Sequence, residues 1–254
     1  TILAYIRKIF PQVNRITSYA RSHTIARKSE QDLARIAQAG LNRIHIGMES
    51  AADEVLDFIN KRVDKKTHIV AGQKIKRAGI ELSEYYMPGL GGVEFSIANA
   101  LETADAMNQI DPDFIRIRTL AIPEETELYK EVQSGRFTPL GDLQMADELM
   151  LFLENLNGIG STVESDHILN LFQDVEGCLP QEKENMTTLI RTFMVMDPQQ
   201  QMLYMVGRRT GIFSKLTDLY DSGLRGHAEQ AVFAHQVTQE NVEEWTATMI
   251  RQYI

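Results

Sequence analysis

Cysteine is almost absent from this chain. Its 254 residues contain one cysteine, Cys178, which excludes a disulfide within the chain and favours a reducing compartment, the cytoplasm. One thiolate also excludes an iron–sulfur cluster held by several cysteines of these residues. No run approaches the roughly 18 apolar residues of a membrane-spanning helix, and no signal-peptide pattern is present. The sequence therefore predicts a cytoplasmic protein that does not enter a membrane.

Positive charge is also in short supply. Lysine and arginine number 26 against 35 aspartates and glutamates, which gives a formal net charge of -9 at pH 7. Such a balance disfavours a nucleic-acid-binding surface, because phosphate contacts need basic side chains. With 43% hydrophobic residues, the chain can bury the core of one large domain or two small ones. We expect a small-molecule or protein substrate rather than nucleic acid.

Helical and strand-like segments alternate through the first half of the chain. Apolar spacing predicts helices over 1–10, 29–40, 51–59, 66–78 and 95–109. Strands are predicted over 15–21, 43–49, 80–87 and 114–120. This alternation favours a parallel sheet, either open or curled into a barrel. After about residue 123 helices dominate, and they are predicted near 126–134, 142–156, 181–195, 198–208 and 238–252.

Two capping boxes mark helix starts in the first half of the chain. Ser29 stands three residues before Asp32, and Ser50 stands three residues before Asp53. In such a box the serine hydroxyl accepts a backbone N–H from the first helical turn. The pattern therefore predicts a helix that begins after each serine.

Polar residues occupy alternate positions of two predicted strands. In RIHIGMES, His45, Gly47 and Glu49 alternate with apolar residues, and in FIRIRTL Arg116 and Arg118 do the same. Alternate side chains share one face of a sheet. An arginine cannot lose its charge, so burying it unpaired costs several kcal/mol. A buried arginine therefore needs carboxylates or phosphates nearby. The pattern favours a polar cavity at the carboxyl ends of parallel strands; the alternative is a solvent-facing sheet surface.

A glycine-rich segment, PGLGG at 88–92, follows the strand predicted over 80–87. Gly89, Gly91 and Gly92 would let a ligand approach the backbone closely, or would simply permit a tight turn. The segment does not match GxGxxG, and no P-loop pattern follows it. Within the preceding strand, Glu84 is a further candidate acceptor for the two arginines, beside Glu49.

The order of these motifs resembles a known enzyme family. GLNRIHIGMESAADEVLDFINK, KIKRAGIELSEYYMPGLGG and DPDFIRIRTL are similar to the later part of the barrel of radical S-adenosylmethionine (SAM) enzymes. The similarity is to the iron–sulfur oxidoreductases related to oxygen-independent coproporphyrinogen oxidases and elongator-type catalytic subunits. It covers roughly residues 15–190 and implies the α/β class, with a partial TIM-like (β/α) barrel of parallel strands. We expect this incomplete barrel over 1–125 and a mainly helical region over 126–254.

The resemblance also implies which residues bind the cofactor. GMES matches the family's fourth-strand motif, near the ribose and methionine part of SAM, and YYMPGLGG matches a fifth-strand motif near adenine. IRIRTL matches the sixth strand, near adenine or substrate, and Arg21 ends the third strand, where it could face the methionine carboxylate. The residues implied are Gly47, Glu49, Ser50, Gly89, Gly91, Gly92, Arg116, Arg118 and Arg21. No catalytic residue or metal ligand of this chain is implied.

One departure from the family is large. The CxxxCxxC loop that holds a [4Fe–4S] cluster is absent, and counting back from RITSYAR would put it before Thr1. We therefore expect a piece of a longer enzyme whose complete form uses SAM and a [4Fe–4S] cluster. The resemblance implies reductive cleavage of SAM and hydrogen abstraction from an unknown substrate. This chain alone is expected to be inactive, to bind neither cofactor tightly, and to form a homodimer through the unpaired edge of the barrel.

Two other interpretations fit parts of the sequence. One is a cluster-free TIM-barrel lyase or isomerase that uses Glu49, His45 and Arg116, although no metal-ligand spacing such as HExxH is present. The other is a non-catalytic scaffold whose helical region binds a partner protein through Asp166, His167 and the pair Arg208–Arg209. A simpler explanation is that Asp166 caps a helix over HILNLF and that the arginines end another helix.

Overall fold

The fold is described by a computed structural model that covers residues 2–252. The strands are β1 (Thr17–Ala20), β2 (Arg43–Glu49), β3 (Glu81–Tyr86), β4 (Phe114–Ile117), β5 (Thr162–Glu164) and β6 (Gly177–Cys178). The helices of the first half are α1 (Ile2–Ile9), α2 (Ser22–Arg27), α3 (Glu30–Gln38), α4 (Asp53–Phe58), α5 (Lys65–Arg77) and α6 (Gly92–Ile110). The later helices are α7 (Glu127–Gln133), α8 (Asp142–Glu154), α9 (Lys183–Met194), α10 (Pro198–Arg209), α11 (Ser222–Ala234) and α12 (Val242–Arg251), with a 3-10 turn at Leu216–Tyr220.

The six strands form one sheet in the order β1-β2-β3-β4-β5-β6. Neighbours from β1 to β5 are parallel, and β6 runs antiparallel to β5. The predicted α/β class and partial TIM-like fold, followed by a mainly helical part, are confirmed. β1 lies at one edge of the sheet and pairs with β2 alone among the described strands. The short strands β5 and β6 extend the sheet beyond residue 125, and the division into regions 1–125 and 126–254 stays a prediction.

The helix-covered face of the sheet holds the hydrophobic core. Ile44, Ile46 and Met48 of β2 are buried on this face, beside Leu82 of β3. Side chains of α5 and α6 pack in the same cluster. Because burial of each large apolar side chain contributes about 1.5–3 kcal/mol, a one-residue slip of β2 would expose them and is strongly disfavoured. The core thus forces the alternate, polar residues onto the opposite face.

The two predicted capping boxes have different outcomes. Ser29 caps α3, since its hydroxyl accepts the N–H of Asp32 at 3.0 Å. The second box is wrong, because α4 begins at Asp53 after an N-cap residue without a side-chain hydrogen bond. Ser50 accepts instead from the N–H of Ala52, and Asp53 accepts from the N–H of Lys65 across the loop to α5. A local pattern of residues could not reveal that competing long-range acceptor role.

The segment after β5 is irregular, and the helix predicted over HILNLF is absent from residues 167–172. Its backbone carbonyls bind the end of α10 instead. Arg208 donates to the carbonyls of Asn170 and Leu171, and Arg209 donates to that of Leu169. Both arginines do end a helix, as the simpler explanation predicted. They are buried, however, so they cannot form the partner-binding surface of the scaffold interpretation.

The C-terminal helix α12 docks against α8. The Glu243 carboxylate accepts the N–H groups of Asp142 and Leu143, which begin α8 and lack partners within their own helix. Trp245 packs partly buried against the core, with its ring 5.4 Å from that of His235. Over residues 2–252, no helix has the length and hydropathy to span a membrane.

Candidate functional site

The uncovered face of the sheet carries a row of three rings. Tyr19 of β1 and Tyr85 of β3 flank His45 of β2, with ring centroids 5.1 Å and 5.9 Å from the imidazole. The two tyrosine hydroxyls approach within 3.4 Å of each other. Burial, followed by the charges of Arg116 and other arginines, lowers the pKa of His45, so the imidazole is neutral at pH 7. Burial also raises the pKa of Tyr85 to about 12. The row is therefore uncharged.

Both predicted arginines lie on this face and are already paired. Arg116 of β4 contacts Glu164 and, at 2.6 Å, Asp166, while Arg118 contacts Asp166 at 2.7 Å. Burial opposes ionisation of Asp166, but the two arginines outweigh it and lower the pKa of its carboxyl. The expected acceptors were wrong. The observed acceptors are Glu164, which ends β5, and Asp166, which comes shortly after it. Glu84 lies on the core face instead, with Ile46 and Ile115 as its cross-strand neighbours.

A cavity of about 720 Å³ opens at the carboxyl ends of β1, β2 and β3. It brings together three of the predicted residues, Arg21, Gly47 and Glu49. The Glu49 carboxylate forms an ion pair with Lys61. Its Oε1 lies only 2.6 Å from the position that a Cβ on residue 47 would take. Glycine at this position thus makes room for the carboxylate. Glu49 itself has a φ of +67° at the bulge that ends β2, a region that non-glycine residues rarely adopt.

The other predicted residues lie outside this cavity. Ser50 is fully buried, and the Gly89 N–H donates to Glu148 beneath the turn. Gly91 and Gly92 line a separate pocket of about 180 Å³, and a largely apolar cavity of about 90 Å³ lies between Gly89 and α12. Arg116 and Arg118 share the uncovered face of the sheet without lining the cavity. The nine predicted residues therefore do not form one contiguous site.

The cavity also contains residues that carried no recognisable sequence signal. The side chains of Ser22 and His68 form a hydrogen bond of 2.7 Å between Oγ and Nδ1, joining α2 to α5. Burial, followed by the charge of Lys61, lowers the pKa of His68 to about 3. Two further cations, Arg27 and Arg62, line the cavity beside the predicted Arg21. Only the packing of α2 on α5 brings these distant positions together, so no local spacing could have identified them.

Comparison with known proteins gives distant relatives. No family model matches the chain. It is 25% identical over 111 residues to a tRNA uridine(34) acetyltransferase of Methanocaldococcus jannaschii and 27% identical over 112 residues to that of Methanocaldococcus infernus. These matches cover 43% and 44% of this chain and 20% and 21% of those proteins. The matched stretch thus spans about a fifth of the length of these curated relatives.

Solved structures reveal the fold. The archaeal Methanocaldococcus infernus Elp3 with an N-terminal deletion superposes with a TM-score of 0.51 and 21% identity, covering 71% of this chain and 41% of that one. The chain has a radical SAM-like fold. Methylornithine synthase (PylB) and the maturase HydG superpose with TM-scores of 0.46 and 0.45, at 16% and 11% identity. They cover 66% and 99% of this chain and 45% and 66% of theirs.

In this radical SAM-like fold, one buried carboxylate holds the glycine turn after β3. Glu148 of α8 accepts from the Tyr86 hydroxyl at 2.9 Å and from the Gly89 N–H at 3.0 Å. It also accepts from Ser96 at 2.6 Å and from Asn99 at 2.7 Å. Burial raises the pKa of Glu148, although all four hydrogen bonds oppose that shift. The carboxylate therefore fixes the end of β3 relative to α6 and α8.

A second buried carboxyl, Glu84, gives a pH-dependent prediction. Burial raises its pKa well above the ordinary value of 4.5. Above pH 4.5, the folded chain retains a proton that the unfolded chain releases, so the free energy of unfolding falls as pH rises towards the folded-state pKa. Glu84→Gln removes this loss, and we expect it to be about 1–3 kcal/mol more stable than the native chain at pH 8. Urea unfolding followed by circular dichroism at pH 5 and pH 8 measures the difference.

The matched control for this prediction is Glu94→Gln. Glu94 is an exposed glutamate in the first turn of α6, so its replacement should leave the pH dependence unchanged. If Glu84→Gln and the native chain lost stability equally between pH 5 and pH 8, Glu84 would not be the buried group responsible.

Proposed function

We propose that the cavity at the ends of β1, β2 and β3 binds SAM, and that the complete protein uses it in radical chemistry on a substrate held against the uncovered face of the sheet. The proposal is supported by the radical SAM-like fold and by one observation above all. Arg21, Gly47 and Glu49, implied by the sequence resemblance, line a single cavity. Acetyl transfer, for which the curated relatives are named, is not proposed, because the match covers about a fifth of their length.

The residues of the cavity fit SAM in size and chemistry. The volume of about 720 Å³ lies within the roughly 300–1,000 Å³ of small-molecule sites. The Glu49 carboxylate can accept from ribose hydroxyls or from an ammonium group, and Arg21 can donate to a carboxylate. Among residues 2–252, Arg21 has no acidic ion-pair partner that would compete for its guanidinium. Gly47 leaves room for the Glu49 carboxylate at the carboxyl end of β2.

The residues do not fit a [4Fe–4S] cluster. Cys178 is exposed in β6, within the part of the sheet farthest from β1 in strand order. The described residues contain no group of three or more histidine, cysteine, aspartate or glutamate side chains arranged to hold a metal ion. Under this proposal the cluster ligands lie outside this chain's residues, and the chain alone is catalytically inactive.

The chain's own residues would bind, orient and shield. Arg21 and Glu49 would hold SAM, which would supply radical hydrogen-abstraction chemistry once an electron reached it from a cluster outside these residues. Tyr19 and Tyr85 line one side of the cavity, and the neutral imidazole of His45 stacks between their rings. Arg116 and Arg118, held by Asp166, keep a fixed geometry beside Tyr85, with Arg118 5.2 Å from its ring. Their pairing makes them less available to an anion than the free Arg21.

The proposal predicts weak SAM binding that depends on Glu49. We expect Glu49→Gln to lower the affinity for SAM about tenfold, since a charged acceptor of a hydrogen bond contributes about 1.5–3 kcal/mol. Ligand-observed NMR titration measures the affinity, and circular dichroism melting verifies that the variant folds. Glu54→Gln, which changes an exposed glutamate of α4, is the control and should bind as the native chain does. Native affinity in Glu49→Gln, or no SAM binding at millimolar concentration by the native chain, would refute the assignment.

A further inference from the structure

We infer that the same cavity also binds a phosphate group, held by Arg27 and Arg62, and that the substrate carries this group. The inference deepens the proposed function, because the phosphate would belong to the substrate that shares the cavity with SAM. Two independent features of the cavity support it: the charge of its walls and a buried polar atom without a partner.

The walls of the cavity are cationic in an acidic protein. Arg21, Arg27, Lys61 and Arg62 line it together with a single carboxylate, that of Glu49, although the whole chain has a net charge of -9. Lys61 and Glu49 neutralise each other. The three arginines are therefore left as a local excess of positive charge. A cleft lined by one sign of charge concentrates its field and raises the local concentration of counter-ions.

Arg27 and Arg62 come from different elements. Arg27 ends α2, and Arg62 lies in the loop between α4 and α5. In the part of the chain that the structure describes, neither forms an ion pair with an acidic side chain, and Arg62 donates only a long 3.4 Å hydrogen bond from Nε to Asn60. The outer nitrogens of both guanidinium groups thus remain free for a ligand within residues 2–252. Two guanidinium groups from separate elements match a group that offers several oxygens.

His68 supplies the second feature. Its side chain lines the cavity, is almost fully buried, and has no hydrogen-bond partner at Nε2 among the described residues. When the Ser22 hydroxyl donates to Nδ1, the neutral imidazole carries its proton on Nε2. That N–H is then a buried donor that needs an acceptor, and leaving such a group unpaired costs about 1–3 kcal/mol. An anion oxygen that reached Nε2 from the cavity would satisfy it.

Phosphate fits this set better than a carboxylate does. A phosphate ester carries up to three acceptor oxygens and a charge of about -1.5 to -2 at pH 7. It can therefore engage two arginines and the imidazole N–H at once, whereas a carboxylate has two oxygens and a single charge. Arg21 remains available for the carboxylate of SAM. The phosphate could come from a small ester or from a nucleotide within a strand, and the binding test distinguishes these sources.

The test is calorimetric titration of the full chain with inorganic pyrophosphate, with AMP and with adenosine. We expect AMP to bind more tightly than adenosine, and the double variant Arg27→Gln/Arg62→Gln to lose at least about tenfold in affinity for pyrophosphate and AMP. The matched control is Arg35→Gln/Arg191→Gln, which also removes two positive charges but at exposed surface ion pairs. Its affinity should stay within about twofold of native, because exposed charges at a distance are screened by salt.

Other outcomes distinguish a failure of the phosphate site from a failure of the proposed SAM site. The phosphate would belong to a nucleic-acid strand if the native chain bound a short single-stranded oligoribonucleotide but not AMP. In that case Arg27→Gln/Arg62→Gln should lose affinity for the oligoribonucleotide. No binding of any phosphate probe, or equal affinities in both double variants, overturns the phosphate site. If Glu49-dependent SAM binding persisted in that case, the proposed function would survive. If pyrophosphate bound through Arg27 and Arg62 while SAM did not bind, the anion site would stand and the proposed function would fail.

Discussion

Replacing Glu148 with alanine is expected to lower the free energy of unfolding by about 3–5 kcal/mol, which is the range for removing one partner of a buried charged network. The carboxylate accepts four hydrogen bonds, from Tyr86, Gly89, Ser96 and Asn99. Alanine would leave these donors without their acceptor in a space that water does not reach, and each such loss is unfavourable. The glycine turn and the end of β3 would lose their link to α8 in the same step.

The measurement is urea unfolding monitored by circular dichroism. Glu154→Ala is the control, because Glu154 lies on the same helix but is half exposed and pairs with Arg191 at 3.3 Å. Its loss should change the free energy of unfolding by less than about 1 kcal/mol. Glu148→Gln, which keeps one acceptor oxygen, should fall between these values. Equal stability of the two alanine variants would show that the network around Glu148 contributes little.

Asp142→Asn is expected to destabilise the chain by a comparable amount, about 3–5 kcal/mol, because it removes the negative charge that Asp142 places against a buried guanidinium. The side chains of Arg209 and Asp142 are only 2% and 1% exposed, and they form two hydrogen bonds. Arg209 also donates to the Leu169 carbonyl. The substitution would therefore weaken both the start of α8 and the clamp on the segment after β5.

The same unfolding experiment tests this second prediction. The control is Glu127→Gln, which breaks the surface pair with Lys130; the side chains of Glu127 and Lys130 are 87% and 64% exposed. Such surface pairs contribute about 0–1 kcal/mol. If Asp142→Asn were no more harmful than Glu127→Gln, the buried pair would not be a principal link between α8 and α10.

β2 and β4 were predictable because apolar and polar residues alternate along them. Burial of Ile44 and Ile46 fixes the face of β2, and the alternation of Arg116 with Ile117 does the same for β4. Glu84 was ambiguous for the opposite reason, since a shift of one residue decides whether it meets the core or the polar face. Glu84 is buried beside Ile46, where its carboxyl group loses its hydration. The apolar pattern of the sequence could not predict this position.

The site was only partly predictable from sequence. Arg21, Gly47 and Glu49 could be named because they stand at or beside strand ends and match motifs of the resembled family. The partners of Arg116 could not be named from the sequence. Asp166 comes 50 residues later, in an irregular segment whose local sequence predicts the start of a helix. Arg62 lay in an ordinary polar loop. Side chains that meet only through tertiary packing carry no periodic signal.

The position of Trp245 has a practical consequence. It is the single tryptophan of the chain, it lies on α12 beside His235, and it is not among the residues that line the large cavity. Its fluorescence therefore reports on the surroundings of the last helix and not on ligand contacts near β1. A fluorescence change on urea addition that precedes the loss of helical ellipticity would reveal that the C-terminal helix detaches before the sheet unfolds.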